Sequence, residues 1–582
     1  DDPGVSVERM LRPVRSEMGQ VDAAAAWEAL RRRRFRYEVD NACLVELDEE
    51  PPHGMNPEAV EICLVCALLL GSTPVDEIEV MRKIVVDGSN TAGFQRTALV
   101  ALGGSVSTPH GDVRIQTICL EEDSARKIDD SGGLVTYRLD RLGIPLIEIA
   151  TAPDIDSPEM VQATAARIGS ILRATGRVKR GLGTVRQDLN VSLPGGSRVE
   201  IKGVQDLRSI GRTVEREVER QRHLIWLSRQ VTGEIEPSPV DVSEAFSSTG
   251  SGLVRKGLDR GQVVLGQRLP GFAGLISAGD EHRLGRELAA HARSMGASGL
   301  LHSDELPAYG ISNDEVWEVR RLLGCREGDA FILVLDREER ARRALDAAVR
   351  RAAAVPDGVP SEVRRALPDC TTEYLRPMPG SARMYPETDV PPVCMREDVI
   401  RRLSDDLPEM PEIRIARLVD EHELHPQVAE QIVSEWYDTF TGLVADGVNP
   451  SLAARTLTQT FPELRGRGLS PDDLDPQDIS AVLRIATEGT ISRQAIPDVL
   501  AAVIGGSTPE DALEDLGLVG LPDDELRSMA DELVAERADF VRERGPSAVG
   551  PLMGEMMKRV AGRADGRRVS AILRDAVEQA IE

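Results

Sequence analysis

Three carboxylates and then two cations stand in TICLEEDSARK, the stretch from Thr117 to Lys127. It closes an alternating run, VRIQTICL, of the kind that builds a strand with one apolar face. Charge clusters after strands are usually solvated turns. Clustered carboxylates also hold hard cations. Taken alone, the stretch reads as a wet turn.

GIPLIEIATAPD fits that reading less well. Glu148 lies between Ile147 and Ile149, after Pro145 and Leu146. A carboxylate in so apolar a strand is costly to bury unless it is paired or metal-bound. In GTVRQDLNVSL, Val185, Gln187, Leu189, Val191 and Leu193 alternate with Arg186, Asp188, Asn190 and Ser192. A sheet with one wet face accounts for that strand by itself. SRVEIKGV sets Glu200 and Lys202 on the face opposite Val199 and Ile201.

If these strands share a sheet, Glu122, Glu148, Asp188 and Glu200 converge on one concave face, with Glu121 on the other. Carboxylate oxygens without His or Cys nearby suit Mg²⁺ or Mn²⁺ rather than zinc. A phosphate-bearing substrate completes such a shell. Upstream, DGSNTAGFQRT offers a candidate phosphate cradle. Its glycines allow close backbone approach, its Ser, Asn and Thr residues supply donors, and Arg96 supplies charge. It is neither a Walker A nor a dinucleotide motif, and a polar hairpin turn has the same composition.

The elements that must position these residues follow from periodicity. EVMRKIVVDG, DVRIQTICL, GIPLIEIATA, GTVRQDLNVSL and SRVEIKGV read as strands; VDAAAAWEALRRRRF and NPEAVEICLVCALLL read as helices. A long charged helix runs through TVEREVERQRHLIWLSRQ. Short strand-like pieces and amphipathic helices then alternate, as in an inserted α/β module. RPMPGSARMYPETDVPPV, from Arg376 to Val393, is excluded from regular helix by its prolines. Beyond Pro408 the pattern is helical almost to the end. The expected class is α+β and multidomain, with a mixed-sheet catalytic domain, an inserted α/β module, a helical domain and a helical tail.

Composition bounds the rest. The 582 residues can bury several cores. Formal net charge is −27, and only six of the 70 cations are lysines: Lys83, Lys127, Lys179, Lys202, Lys256 and Lys558. Acidity and few aromatics fit a salt-rich cytoplasm, or an ordinary acidic protein from a GC-rich genome. The balance argues against nucleic-acid binding in general, yet a local basic patch can persist. Seven scattered cysteines fit a reducing cytosol. Cys63 and Cys66 sit inside an apolar helical run and read as packed thiols rather than a metal or redox pair. No stretch is apolar for long enough to span a bilayer.

Taken together, DGSNTAGFQRT, LEEDSARKI, YRLDRLGIPLIEIATAPDI, VRQDLNVSL, VEIKGVQDL and ARMYPETDVPP resemble the GatB/GatE family of tRNA-dependent amidotransferases. The tail, SAVGPLMGEMMKRVAGRADGRRVSAILRD, is similar to that family's YqeY-like tail. DGSNTAGFQRTA favours the archaeal E branch over the bacterial B branch. So does an insertion resembling that of bacterial-type aspartyl-tRNA synthetase.

The resemblance implies a cradle catalytic domain at residues 1–225 and 371–405, the insertion at 226–370, a helical domain at 406–507 and the tail at 508–582. It implies ATP-dependent phosphorylation of the glutamyl side chain on Glu-charged tRNA(Gln), then amidation by ammonia. The implied cofactors are ATP and Mg²⁺ (or Mn²⁺). The implied partner is an asparaginase-like glutaminase, the D-type subunit, in a heterotetramer of two D and two E, in the cytoplasm and with no membrane part.

By motif position, Glu122, Glu148, Asp188 and Glu200 match the metal carboxylates, with Glu122 and Glu148 catalytic. Ser89, Asn90, Gln95 and Arg96 are nucleotide or substrate contacts. Arg383, Tyr385 and Glu387 either line the same cradle or belong to a Pro-fixed turn. Lys558, Arg559, Arg563, Arg567 and Arg568 are tRNA contacts or a solvated helix end. The family's GLEIH-type strand does not precede Leu11, so residues upstream of Asp1 are expected to be missing. Two alternatives stand: a non-catalytic tRNA-binding scaffold, and the bacterial B-type subunit.

Overall fold

The computed structural model describes residues 5–15, 19–39, 42–131, 133–179, 181, 183–279, 282–380, 384–488, 490–518, 520–560 and 563–581. The chain is mixed α+β, and its backbone divides into two compact units, Asp1–Pro408 and Glu409–Glu582.

The first unit is built on separate sheets. In one, the strand Pro145–Thr151 pairs with the long strand Gly111–Glu122, and Phe94–Leu102, Val80–Ile84 and Met384–Pro386 follow in order. All of these pairings are antiparallel. Their buried face is aliphatic: Val80, Ala98, Val100, Ile118 and Leu120 are each less than a tenth exposed. The helix Pro57–Leu69 covers it, started by Asn56, whose side chain accepts from the Glu58 amide at 2.9 Å. A proline at its first position costs no hydrogen bond. Cys63 and Cys66 lie within this helix, free and buried. Burial pushes the Cys66 thiol up to about 12.

A second, four-stranded sheet joins Val5–Arg9, Arg34–Val39, Leu134–Arg138 and Arg126–Ser131. Here VDAAAAWEALRRRRF departs from the all-helical expectation. The helix ends at Leu30, and Arg34 and Phe35 open a strand. Phe35 and Tyr37 alternate inward along it and are almost fully buried.

A third sheet carries Leu189–Val191, Val199–Lys202, Glu362–Ala366 and Thr372–Pro377. Val199–Lys202 and Glu362–Ala366 run parallel in direct register although about 160 residues separate them. The chain between forms a further antiparallel sheet around Val263–Leu269 and Ala330–Asp336, with helices Leu284–Ser294 and Glu338–Ala353. Val199 and Ile201 share one apolar cluster with Leu265, Leu284, Ile332 and Leu345. The intervening segment therefore packs against the third sheet through a continuous core.

The second unit, considered alone, is helical. One core gathers residues from Leu418 to Leu518, and another gathers Leu521 to Val577. Among the described residues no helix is long and apolar enough to cross a membrane.

Candidate active site

A cavity of about 2120 Å³ opens within the first unit, between the Glu148 strand and the third sheet. Four of the six lysines line it: Lys83, Lys127, Lys179 and Lys202. Its lining holds fourteen Lys and Arg against thirteen Asp and Glu, in a chain whose net charge is −27. The cavity is thus the place where an acidic protein can receive an anion. Among the described residues, no His or Cys lines it.

Register decides which carboxylates meet there. Glu148 stands opposite Cys119, and Leu146 opposite Glu121. Directly opposed residues of an antiparallel pair point to the same side, so Glu121 shares the face of Glu148. Glu122 points to the other side, and the expected convergence of Glu122 with Glu148 is not formed. The Lys83 ammonium donates to Glu121, and Gln95 Nε2 donates to the same carboxylate at 3.4 Å. Glu148 is exposed to the cavity, yet the desolvating surroundings and the neighbouring Glu121, within hydrogen-bonding reach, raise its carboxyl above the ordinary range.

Glu200 lies on the third sheet and Asp188 immediately before that sheet's first strand, so the four acids do not share one sheet. GTVRQDLNVSL is a strand only over Leu189–Val191. Asn190 stands opposite Glu200. Lys202 joins the two acids, with Nζ 2.6 Å from Asp188 and 2.7 Å from Glu200. Burial by itself would lower the Lys202 ammonium, but Asp188 and Glu200 outweigh it and hold the group above its usual value. Lys202 also acts electrostatically on Glu148. Glu148, Asp188 and Glu200 therefore line one cavity, from two sheets, with a lysine between.

Glu122 belongs to a different constellation. Arg96 NH1 stands 3.3 Å from Glu122, and its Nε donates to Glu387 at 3.1 Å. Arg82 donates to Glu387 at 2.6 Å. Burial raises the Glu122 carboxyl, while Arg96 pulls it down. Glu387 is buried, and Tyr385 pairs with Arg82 across the sheet. The ARMYPETDVPP motif thus ties the last strand of the first sheet to its neighbours on the side away from Glu148. Arg383 lies outside the described residues. Gln95 and Arg96 sit on the strand Phe94–Leu102 rather than in a loop, so their side chains part to opposite faces.

The turn before that strand is fixed in detail. Tyr37 and Tyr137, stacked 6.1 Å apart, donate to the carbonyls of Gly88 and Asp87, each at 2.9 Å. Gly88 has φ +88°, and a Cβ there would overlap the Phe35 ring, so no larger residue fits. Ser89 donates to Asp87 through its hydroxyl at 2.6 Å. Ser89, Asn90 and Gln95 all line the cavity.

In the second unit, Arg559 pairs with Glu536 and Arg568 with Asp523. No ion pair is seen for Lys558, Arg563 or Arg567 among the described residues. The five cations lie in and between the helices Val549–Val560 and Gly566–Ile581.

Residues 8–401 match the GatB/GatE catalytic domain, and residues 438–577 match a GatB domain. The chain belongs to the GatB/GatE family. A protein from Methanopyrus kandleri, named as the E subunit of glutamyl-tRNA(Gln) amidotransferase, is 47% identical, over 98% of this chain and 92% of its own length. Its namesake from Methanocaldococcus jannaschii is 44% identical, over 100% of this chain and 94% of its own. The namesake from Aeropyrum pernix is 44% identical, over 99% and 92%.

Every lining residue named above falls within the GatB/GatE catalytic match. The donors of this GatB/GatE cavity fit a hard divalent cation in type: they are carboxylate oxygens, two of them like-charged neighbours. Among the described residues, no three are gathered closely enough to hold an ion as they stand; lysines occupy several of the oxygens. Sequence reasoning missed Glu121 and Lys83. The parity that selects Glu121 over Glu122 depends on the offset between two strands, which neither strand encodes alone.

Proposed function

We propose that this chain is the E-type subunit of a Glu-tRNA(Gln) amidotransferase. The glutamyl carboxylate on misacylated tRNA(Gln) attacks the γ-phosphorus of ATP, and ADP leaves. Ammonia attacks the resulting acyl phosphate, and inorganic phosphate leaves, giving Gln-tRNA(Gln). One observation carries this reading: the chain is 40–47% identical to proteins so named over nearly its whole length.

The cavity supports the chemistry. Bringing a carboxylate to a triphosphate concentrates negative charge, and Lys83 and Lys202 offset it. A divalent cation, when bound to oxygens of Glu121, Glu148, Asp188 and Glu200, supplies further neutralisation. A Glu148 oxygen that the cation leaves free suits a general base for the proton that attacking ammonia must lose. Leu146, on the Glu148 face, and Leu189 limit water, which would hydrolyse an acyl phosphate. Ser89, Asn90 and Gln95 are assigned to the nucleotide side. Arg96, turned away, supports the sheet.

The remaining assignments follow the same reading. Residues 1–225 and 371–405 form the catalytic cradle, 226–370 an aspartyl-tRNA-synthetase-like insertion, 406–507 the helical domain and 508–582 the YqeY-like tail. Lys558, Arg563 and Arg567 contact tRNA directly, and Arg559 and Arg568 do so after exchanging their acidic partners. Ammonia comes from an asparaginase-like glutaminase of the D type, in a cytoplasmic assembly of two D and two E, because the sequence has no G-x-S-x-G or cysteine amidase signature of its own. The test is amidation of Glu-tRNA(Gln) with ammonium, ATP and Mg²⁺. Product is expected from the wild type, and none from Glu148→Gln at unchanged tRNA affinity. No wild-type product would reduce the chain to a scaffold, and wild-type rates in the variant would remove Glu148 from the chemistry.

A further inference from the structure

Asp123 stands one residue beyond the strand Gly111–Glu122, in the cavity wall, and is 8% exposed. Its Oδ1 accepts from Arg186 NH2 at 2.8 Å and from the Ser124 amide at 2.8 Å. Arg141 Nε stands 3.2 Å from Oδ2 and donates to the Ser124 carbonyl at 3.2 Å. One buried acid thus holds two guanidiniums. Both line the cavity, with side chains 38% exposed for Arg141 and 36% for Arg186. The trio carries a net positive charge. A guanidinium offers five N–H donors in a planar fork, and these contacts engage one nitrogen of each.

The scaffold beneath is fixed by backbone bonds. Asp123 donates to Ile144 at 2.7 Å, and Gly143 donates to Asp123 at 3.0 Å, tying the acid to the turn before the Glu148 strand. Ala125 donates to Ser89 at 2.8 Å, which ties it to the Asp87–Gly93 turn. Arg186 lies in the stretch GRVKRGLGTVRQ, Gly176 to Gln187, which has four cations and no acid in a chain of net charge −27. Asp123 lies two positions after Glu121, so its backbone is about 7 Å along the strand from the carboxylate centre.

We propose that Arg141 and Arg186, held by Asp123, form a phosphate clamp in the cavity wall. Paired guanidinium forks match phosphate oxygens bidentately, which a lysine cannot do. A surface ion pair needs only one arginine for one acid; a buried acid that orients two leaves a cationic site for an anion. The ligand is a phosphate group, carried either by a nucleoside triphosphate or by the backbone at the acceptor end of an RNA. The clamp rests on the reaction proposed above only in that both use this cavity.

The test measures binding to the full chain of a non-hydrolysable ATP analogue, of adenosine, and of uncharged tRNA(Gln) across a salt series. For a nucleotide source, Arg186→Gln and Arg141→Gln each weaken the ATP analogue roughly tenfold to a hundredfold, the worth of one or two charge-assisted hydrogen bonds. Adenosine and tRNA binding stay unchanged. For an RNA source, tRNA affinity falls, its salt dependence becomes shallower, and the analogue is unaffected. In either case Arg186→Lys fails to restore binding, and Asp123→Asn reproduces part of the loss. Thermal melting confirms that each variant folds. If Arg141→Gln does not fold, Arg186→Gln alone decides. Wild-type affinity for both phosphate ligands in a folded Arg186→Gln protein overturns the clamp. Lost phosphate binding in the clamp variants, with wild-type amidation by Glu148→Gln, would keep the clamp and sink the carboxylate centre. The reverse pattern would keep the centre and sink the clamp.

Discussion

Two groups of glutamates in the first unit stand in opposite surroundings, one sealed in a core and the other facing a cavity. In one, Glu217, Glu287 and Glu362 meet Arg220, Arg351 and Arg364, all nearly inaccessible, where the helices Leu207–Ser228 and Leu284–Ser294 meet the Glu362 strand. Arg364 donates to Glu287 at 2.8 Å, and Arg220 donates to it at 3.1 Å. Burial would raise Glu287 and Glu362, but the arginines outweigh it, holding Glu287 well below the ordinary range and Glu362 at about 2. In the cavity the balance goes the other way: Glu148, exposed to the cavity, is raised by its desolvating surroundings and Glu121, and buried Glu28 reaches about 7 despite the nearby Arg33. Arginines matched one for one make a framework. Where Glu121 and Glu148 stand side by side and Lys83 donates to Glu121, the paired like charges leave room for positive charge from a ligand.

The largest expected effect breaks the framework. Glu287→Gln leaves Arg220, Arg351 and Arg364 buried with too little counter-charge and should cost about 3–5 kcal/mol of stability. Urea unfolding read by circular dichroism would show it. Glu148→Gln should cost nothing by the same measurement, because it removes a charge that desolvation and Glu121 already disfavour. Equal destabilisation by the two substitutions would erase the distinction between framework and site.

Glu28 sharpens the comparison through pH. A carboxyl with its folded pKa raised from 4.5 to about 7 favours the folded state fully below pH 4.5 and loses that contribution as pH rises through 7. Glu28→Gln should therefore match the wild type near pH 4.5 and exceed it at pH 8 by up to about 3 kcal/mol. Glu287 and Glu362 work in the other sense. With their pKa values lowered, their contribution is complete above pH 4.5 and is lost as pH falls toward 2. Melting curves for wild type and Glu28→Gln across pH 4.5–8 would reveal the crossover. Parallel curves would mean that Arg31 and Arg33 already compensate the buried acid.

Much of this was legible in the residues. Alternation located the strands that carry Glu121, Glu148 and Glu200, and the helical pattern of NPEAVEICLVCALLL matched the helix Pro57–Leu69. The family motifs pointed to the strands that line the cavity. What escaped was non-local. Whether VRQDLN continues as strand depends on what pairs with it, and only Leu189–Val191 finds a partner. The helix that begins at Ala23 gives way to strand because Phe35 and Tyr37 find a core between distant segments. The roles of Arg141 and Arg186 depended on Asp123, and no spacing rule links residues so far apart in the chain.

The smallest effect tests parity at the end of one strand. Glu121 and Glu122 are adjacent and identical in type, and they face opposite ways. Glu121→Gln should lower the ammonium-dependent rate by about a hundredfold, on the scale of removing one electrostatic group from a reaction centre, and leave stability little changed. Glu122→Gln should leave that rate within a few-fold and cost about 1 kcal/mol, the value of a partly exposed bond to Arg96. Single-turnover amidation and thermal melting on both variants separate these outcomes. The reverse result, with activity lost in Glu122→Gln and kept in Glu121→Gln, would put the reacting carboxylate on the Arg96–Glu387 side. It would also mean that the strand pairing opposite Glu148 is offset by one residue, because a one-residue slip exchanges the two faces.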